Sequence, residues 1–147
     1  MAFENPPLDD VRALLTSART IAVVGLSPDP DRPSYSVATY LQENGYRIVP
    51  VRPGGGQLLG EAVFARLSDV PFPIDVVDIF RASRFASAHV DEAIAIKARA
   101  VWLQEGVLDQ AAALRARAAG LLTSMDCCLL KAHRKAGLSN SRPPPRR

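Results

Sequence analysis

The sequence predicts an α/β fold: a single domain with a Rossmann-like, doubly wound, five-stranded parallel sheet. Short apolar, β-branched runs alternate along the chain with segments of helical spacing. A glycine or a cluster of turn residues follows almost every one of these segments. Strands joined by whole helices run parallel and place helices on both faces of a sheet. The 147 residues suffice for one such domain with its own core.

The first two elements lie before the first glycine of the chain. Leu8–Leu15 has apolar residues at helical spacing after two prolines, which predicts a short amphipathic helix at the sheet edge. Ile21–Val24 is an unbroken apolar run, as expected of a strand that is buried on both faces. Gly25 ends that strand.

The next helix and strand follow a proline-rich loop. Helical spacing begins after Pro33 and continues to about Asn44, where Gly45 fits a left-handed C-cap. Tyr46–Val51 is the second predicted strand, and an Arg-Pro pair and three glycines stop it. The segment 57–67 contains a short turn and one predicted helical segment around residues 62–64.

The third strand is less apolar than the others. Ile74–Phe80 alternates and is β-branched, but it contains Asp75 and Asp78. Two acids in a strand suggest an edge position, so the predicted strand order is 3-2-1-4-5. That order places a ligand crevice at the carboxyl ends of strands one and four.

The rest of the chain continues the same rhythm and completes a domain predicted over residues 1–136. A helix begins near Ser83, and alanine-rich helical and apolar strand segments then alternate. The remaining predicted elements are a helix to about Ala98, a strand over Ala100–Leu103, a helix over Asp109–Ala119, a strand over Leu121–Met125 and a short helix over Cys128–Ala136.

The charge is distributed unevenly. The net charge is +3, but six basic residues and no acid lie from residue 131 onward, so residues 1–130 carry −3. A slightly acidic body excludes an ordinary nucleic-acid-binding domain. The composition of residues 137–147 predicts a basic, proline-rich, disordered tail. We expect a protein partner, if the chain has one, to use this tail. The six basic residues are Lys131, Arg134, Lys135, Arg142, Arg146 and Arg147.

The predicted cellular compartment depends on two features, a membrane span and a signal peptide, that we looked for in the sequence. No apolar stretch approaches the roughly 20 residues of a membrane span. The first residues carry no basic-then-apolar signal pattern, so the predicted location is the cytoplasm. Cys127 and Cys128 are adjacent, which disfavours a disulfide and leaves too few ligands for a metal site. We expect two reduced, partly buried thiols.

The segment Thr20–Tyr35, reading TIAVVGLSPDPDRPSY, has the pattern of a phosphate-binding junction. A strand, a glycine turn and a helix start leave backbone N–H groups that favour an anion. The turn is not a Gly-x-Gly-x-x-Gly fingerprint, because Ser27 and Pro30 stand where glycines belong, and no Gly-Lys-Ser/Thr follows. Ser27 offers a hydroxyl and a backbone N–H to a diphosphate, and Ser34 offers a hydroxyl from the helix start.

Arg52 discriminates between nucleotides. NAD-binding sheets carry an acid at the end of the second strand to hold the ribose hydroxyls. An arginine there suits a phosphorylated ribose, which leaves NADP or coenzyme A (CoA). The alternative is that Arg52 is a solvated surface residue.

Five segments resemble a known family: VGLSPDPDRPSYSVATYLQENGY, IVPVRP, DVVDIFRAS, VWLQEGV and MDCCLLKAH. They look like the small stand-alone CoA-binding domain proteins, which are similar to the CoA-binding domain of the succinyl-CoA synthetase α subunit. The resemblance covers about residues 8–133, with the segments in order and at matching spacing. The family often has Asn where this chain has Arg52.

The resemblance implies CoA bound across the strand ends. The first turn and the following helix start would hold the diphosphate, and the second strand end would flank the adenosine. The third strand end would lie by the adenine and its phosphates, and the fourth along the pantetheine. In that order the residues are Gly25, Leu26, Ser27, Pro33, Ser34 and Tyr35; Arg52 and Pro53; Phe80 and Arg81; and Gln104 and Gly106. On the plainer reading, Phe80 closes the core and Arg81 is solvated.

No catalytic set is apparent in the sequence. It has no nucleophile elbow, no paired histidines and no base beside a candidate nucleophile. The similar synthetase needs further domains that this chain is too short to contain. The predicted function is therefore non-catalytic binding of CoA or an acyl-CoA, as a carrier or a sensor, without ligase activity. The alternative is an NADP-dependent reductase. An exposed sheet edge makes a homodimer plausible in either case.

Overall fold

The computed structural model describes residues 2–140, and the last seven residues of the predicted tail lie outside this range. Strands and helices alternate as the sequence predicts. The elements are α1 (Leu8–Ser17), β1 (Thr20–Val24), α2 (Pro33–Glu43), β2 (Arg47–Val51), β3 (Gln57–Leu58), β4 (Glu61–Ala62), a 3-10 turn (Leu67–Asp69), β5 (Val76–Ile79), α3 (Ser83–Ala95), β6 (Ala100–Leu103), α4 (Gln110–Ala118), β7 (Leu122–Ser124) and α5 (Leu129–Lys135).

The predicted five-stranded parallel sheet is confirmed, with the order β2-β1-β5-β6-β7. Two apolar clusters lie on its two faces. Helices α1, α2 and α5 pack on one face, and α3, α4 and the 3-10 turn pack on the other. The fold is therefore doubly wound, and its central strands are buried at nearly every residue.

The predicted strand order 3-2-1-4-5 is wrong, because the third main strand, β5, lies inside the sheet between β1 and β6. The carboxylate of Asp75, just before β5, accepts the backbone N–H groups of Arg19 (2.8 Å) and Thr20 (3.0 Å). Asp78 is fully buried between Val23 and Trp102. The topological switch point thus lies between β1 and β5, not between the first and fourth main strands.

The helical segment predicted around residues 62–64 is also wrong, because this region forms the antiparallel hairpin β3–β4. Leu59 and Gly60 have φ values of 54° and 76°. Two positive φ values in a two-residue loop are typical of a type I′ turn. Phe64 then pairs with β2: its N–H donates to Pro50 O, and its carbonyl accepts the Arg52 N–H.

Other parts of the described chain contact both edges of the sheet. Phe64 lies along β2. At the β7 edge, the Asn5 side chain accepts the Met125 N–H (2.8 Å) and donates to the Met125 carbonyl (3.2 Å), as a neighbouring strand would. These contacts occupy only part of each edge, and the homodimer stays a prediction.

Ordered structure continues past the predicted boundary at residue 136. Leu138 packs on the apolar cluster of α1, α2 and α5. Tyr40 Oη lies 2.7 Å from Ser139 Oγ, and the Asn140 N–H donates to Asn44 Oδ1 at 2.6 Å. The described end of the chain is thus held against α2.

Within residues 2–140, no helix is both long and apolar enough to cross a membrane. The same residues contain no cluster of three or more His, Cys, Asp or Glu side chains that could hold a metal ion. Cys127 is half-buried and Cys128 is buried, and both are free thiols.

Candidate functional site

A cleft of about 750 Å³ opens at the carboxyl ends of β1, β2, β5 and β6, beside the start of α2. This volume is in the range of small-molecule sites. Eleven of the twelve predicted site residues line it, and Tyr35 does not. The cleft adds four residues that the sequence analysis did not select, which are Arg32, Ala82, Glu105 and Val107.

Gly25 lies at the bottom of the cleft, where the ends of neighbouring strands approach it closely. Its N–H donates to Val51 O at 2.8 Å, and its φ is 86°. A Cβ at this position would lie 2.7 Å from Phe80 O and 2.9 Å from Arg81 Cδ. Only glycine satisfies both the backbone conformation and this close approach of two strand ends.

The two predicted serines contact one another. The Ser27 N–H donates to Ser34 Oγ at 2.9 Å, and Ser27 Oγ accepts the Asp29 N–H at 3.1 Å. The Ser27 N–H, which we expected to face a ligand, is therefore used within the protein. Each hydroxyl acts here as an acceptor, so its own proton is available to a ligand.

The amino end of α2 supplies further donors. Arg32, at the N-cap position, makes no side-chain capping bond, Pro33 is the first residue of the 11-residue helix, and no acid lies in the first turn. The N–H groups of Leu26 and Ser34 make no hydrogen bond to any residue between 2 and 140. The positive end of the helix dipole and these amides favour an anion in the cleft.

Three arginines at the cleft have no acidic partner within residues 2–140: Arg32, Arg52 and Arg81. The acid that lines the cleft, Glu105, pairs with Lys131 at 2.9 Å. Positive charge around the cleft is therefore uncompensated, which favours a ligand with several negative charges.

Two of these arginines make contacts that hold them at the cleft. Arg52 Nη1 donates to Leu26 O at 3.2 Å, so its side chain lies across the first turn rather than pointing away from it. The Arg81 guanidinium carbon lies 4.5 Å from the ring centre of Phe85. Arg32 could have been found in the sequence, since it is a cation immediately before the predicted helix start.

Residues 104–107, which follow β6, form one side of the cleft, here called the β6 wall, and hydrogen bonds to later residues hold it in place. Gln104, which is 4% exposed, accepts the Leu129 N–H through Oε1 at 2.9 Å. The Gly106 N–H donates to Asp126 Oδ1 at 2.8 Å. Phe80 lies beside Gln104, where it lines the cleft and also packs on the apolar core. Its position is therefore compatible with both predicted roles, contact with a ligand and closing of the core.

These features define the class of protein: a doubly wound α/β domain with a cationic cleft where its parallel strands end. The profile of one family, the CoA binding domain, matches residues 19–134. The chain belongs to this family.

Relatives share both sequence and fold. The chain is 34% identical over 131 residues to the uncharacterized protein YneT of Bacillus subtilis (strain 168), covering 89% of this chain and 97% of YneT. It is 37% identical to cell-free ID.343 of Thermus thermophilus, with a TM-score of 0.85 and coverage of 89% and 99% of the two chains.

A larger protein shares the fold alone. The dinucleotide-forming acetyl-coenzyme A synthetase 1 of Ca. Korarchaeum cryptofilum matches with a TM-score of 0.62 at 22% identity. The match covers 71% of this chain but only 25% of the synthetase.

Proposed function

We propose that the cleft binds CoA or an acyl-CoA and that the protein acts as its carrier or sensor. The observation that carries this proposal is that Arg32, Arg52 and Arg81 line the cleft without an acidic partner among the described residues. CoA carries a diphosphate and a 3′-phosphate, so its negative charge complements these three arginines. Membership of the CoA binding domain family supports the same ligand.

The described residues fit such a ligand. Gly25 adds no side chain to the first turn, which leaves room for a diphosphate to reach the hydroxyls of Ser27 and Ser34. Arg52 and Arg81 stand on either side of this turn, where the adenosine phosphates would lie. The braced wall at Gln104 and Gly106 would then guide the pantetheine arm.

The direct test is a ligand panel read by thermal unfolding, using CoA, 3′-dephospho-CoA and NADPH. We expect CoA to stabilise the protein most, by about 2.7 kcal/mol at a hundredfold excess over its dissociation constant. 3′-Dephospho-CoA should stabilise it less. Stabilisation by NADPH but not by CoA would contradict the proposal and favour the NADP-dependent reductase.

Arg52→Ala tests how the 3′-phosphate is held. Since Nη1 donates to Leu26 O and Nε donates to Pro53 O, the N–H groups of Nη2 and the second N–H of Nη1 are the ones that can reach a phosphate. We expect the substitution to weaken CoA by roughly 1.5–3 kcal/mol, and 3′-dephospho-CoA by less, in calorimetric titrations. An equal loss for both ligands would remove Arg52 from the phosphate and leave it only its bond to the turn.

A further inference from the structure

Cys127 lies directly behind the β6 wall of the cleft. Its N–H donates to Leu103 O at 3.2 Å, so it sits beside the point where the chain turns into Gln104 and Glu105. The preceding residue, Asp126, holds the Gly106 N–H. Cys127 is half-buried, whereas its neighbour Cys128 is buried in the core.

Two buried polar side chains near Cys127 lack partners. Asp78 and Trp102 are paired across β5 and β6 and are 0% exposed. Neither carboxyl oxygen of Asp78 nor the indole N–H of Trp102 makes a hydrogen bond within residues 2–140. Burial raises the pKa of the Cys127 thiol, the nearby Trp102 indole opposes part of this rise, and Asp78 lies within electrostatic range of the sulfur. Orphaned buried groups of this kind call for a ligand, a water or a chemical role.

Gln104 and Phe80 separate this group from the cleft. They stand two residues beyond Trp102 and Asp78, so each lies on the same face of its strand and one side-chain layer nearer the opening. Cys127 is not among the residues that line the cleft, so the end of a ligand arm would have to pass Gln104 to reach the half-buried thiol. Asp78 and Trp102 lie one side-chain layer deeper than Phe80 and Gln104.

We propose that Cys127 forms a mixed disulfide with the thiol end of CoA held in the cleft. This inference rests on the proposed function. The Cys127 sulfur, after losing its proton to solvent, attacks one sulfur of a CoA disulfide. A new bond joins Cys127 to one CoA, the original sulfur–sulfur bond breaks, and the second CoA leaves as a thiolate that takes up a proton. The disulfide is thereby reduced by the Cys127 thiol.

The environment of Cys127 makes this reaction selective. Burial is the main effect that raises the pKa of the thiol, with smaller contributions from Cys128, Asp78 and Glu105. An unactivated thiol reacts slowly with disulfides in solution. A disulfide that the cleft holds beside it gains from proximity, and the Trp102 N–H can stabilise charge on sulfur.

The test is mass spectrometry of the reduced, full-length protein after incubation with CoA disulfide. We expect one CoA moiety per chain, on Cys127, formed at least about tenfold faster than the glutathione adduct from the same concentration of glutathione disulfide. Acetyl-CoA occupies the same cleft but has no free sulfur to exchange, so it should suppress the reaction. Cys127→Ser should abolish the adduct, and Cys128→Ser is the matched control that should retain it.

The outcomes separate this inference from the proposed function. Equal rates with both disulfides, or an adduct on Cys128, would overturn the role of Cys127. Stabilisation by CoA without any adduct would leave the binding proposal standing and refute the mixed disulfide. If CoA neither stabilises the protein nor reacts with it, both proposals fail.

Discussion

Two cavities of nearly equal size lie in different parts of the sheet. The cleft at the carboxyl ends has about 750 Å³, and a second cavity near the amino ends of β6 and β7 has about 730 Å³. Arginines line both. In the second cavity, Arg99 lies 3.6 Å from Asp75 and donates to Ser17 Oγ, while Arg117 donates to Glu4 O and Thr123 O.

The difference lies in how the arginines are used, not in volume. Those of the second cavity are tied to a carboxylate, a hydroxyl and backbone carbonyls, and the acids Glu4 and Asp10 line the same cavity. Those of the cleft face it without an acidic partner among the described residues. Holding like charges near one another costs free energy unless an anion offsets it. Uncompensated charge therefore identifies a binding site better than size does.

The largest effect should come from Gly25→Ala. A Cβ 2.7 Å from Phe80 O must push two strand ends apart, and alanine is strained at a φ of 86°. We expect a loss of about 2–4 kcal/mol in the free energy of unfolding, measured in urea, together with loss of CoA binding.

Gly120→Ala is the matched control for that substitution. Gly120 has a similar φ, 95°, but a Cβ there would meet no atom within 4 Å. Its cost should be about 1 kcal/mol, from backbone strain alone. CoA binding should be unchanged. Equal destabilisation by both substitutions would show that the close approach at Gly25 contributes nothing.

The next effect concerns the two sets of arginines. Arg32→Gln removes one uncompensated charge at the start of α2 and should weaken CoA by roughly 1.5–3 kcal/mol, with little change in stability. Arg99→Gln removes a paired charge in the second cavity and should leave CoA affinity unchanged. Calorimetric titration of both variants measures the difference. Similar losses would mean that the overall charge of the protein, not the cleft, attracts the ligand.

Local patterns predicted most of the elements, whereas most of the predicted cleft residues came from the resemblance to the CoA-binding domain proteins. Apolar runs defined β1 and β2, because strands that are buried on both faces are usually apolar along most of their length. The site residues follow these strands directly, so a correct strand end also placed them at one edge of the sheet. Tyr35 follows Ser34 in α2 and does not line the cleft, and its predicted contact with the ligand stays a prediction.

The strand order could not be read from local patterns, because it depends on long-range packing. An acid in a strand usually marks an exposed position. Asp78 breaks that rule, since it is buried without a partner among the described residues, and Asp75 binds backbone N–H groups instead of facing solvent. The misplacement of β5 follows from these two acids. The hairpin β3–β4 was missed for a related reason. Its two-residue strands are too short to show alternation.

The last prediction compares two acids, Asp75, which lies just before β5, and Asp78, which lies within it. Asp75 accepts backbone N–H groups near the second cavity, whereas Asp78 has no partner among the described residues. Burial raises the pKa of Asp78 well above its ordinary value of 3.8, so the folded protein binds this proton more tightly than the unfolded chain does.

The stability that the Asp78 proton contributes is therefore complete below about pH 4 and is lost as the pH rises toward the folded-state pKa. Relative to Asp78→Asn, the wild type should lose about 1.4 kcal/mol per pH unit within that window and nothing further above it. Urea unfolding of both proteins across pH 4–9 measures this difference. A constant difference would mean that Asp78 is charged and compensated in the folded state. In that case a buried charge would lie near Cys127.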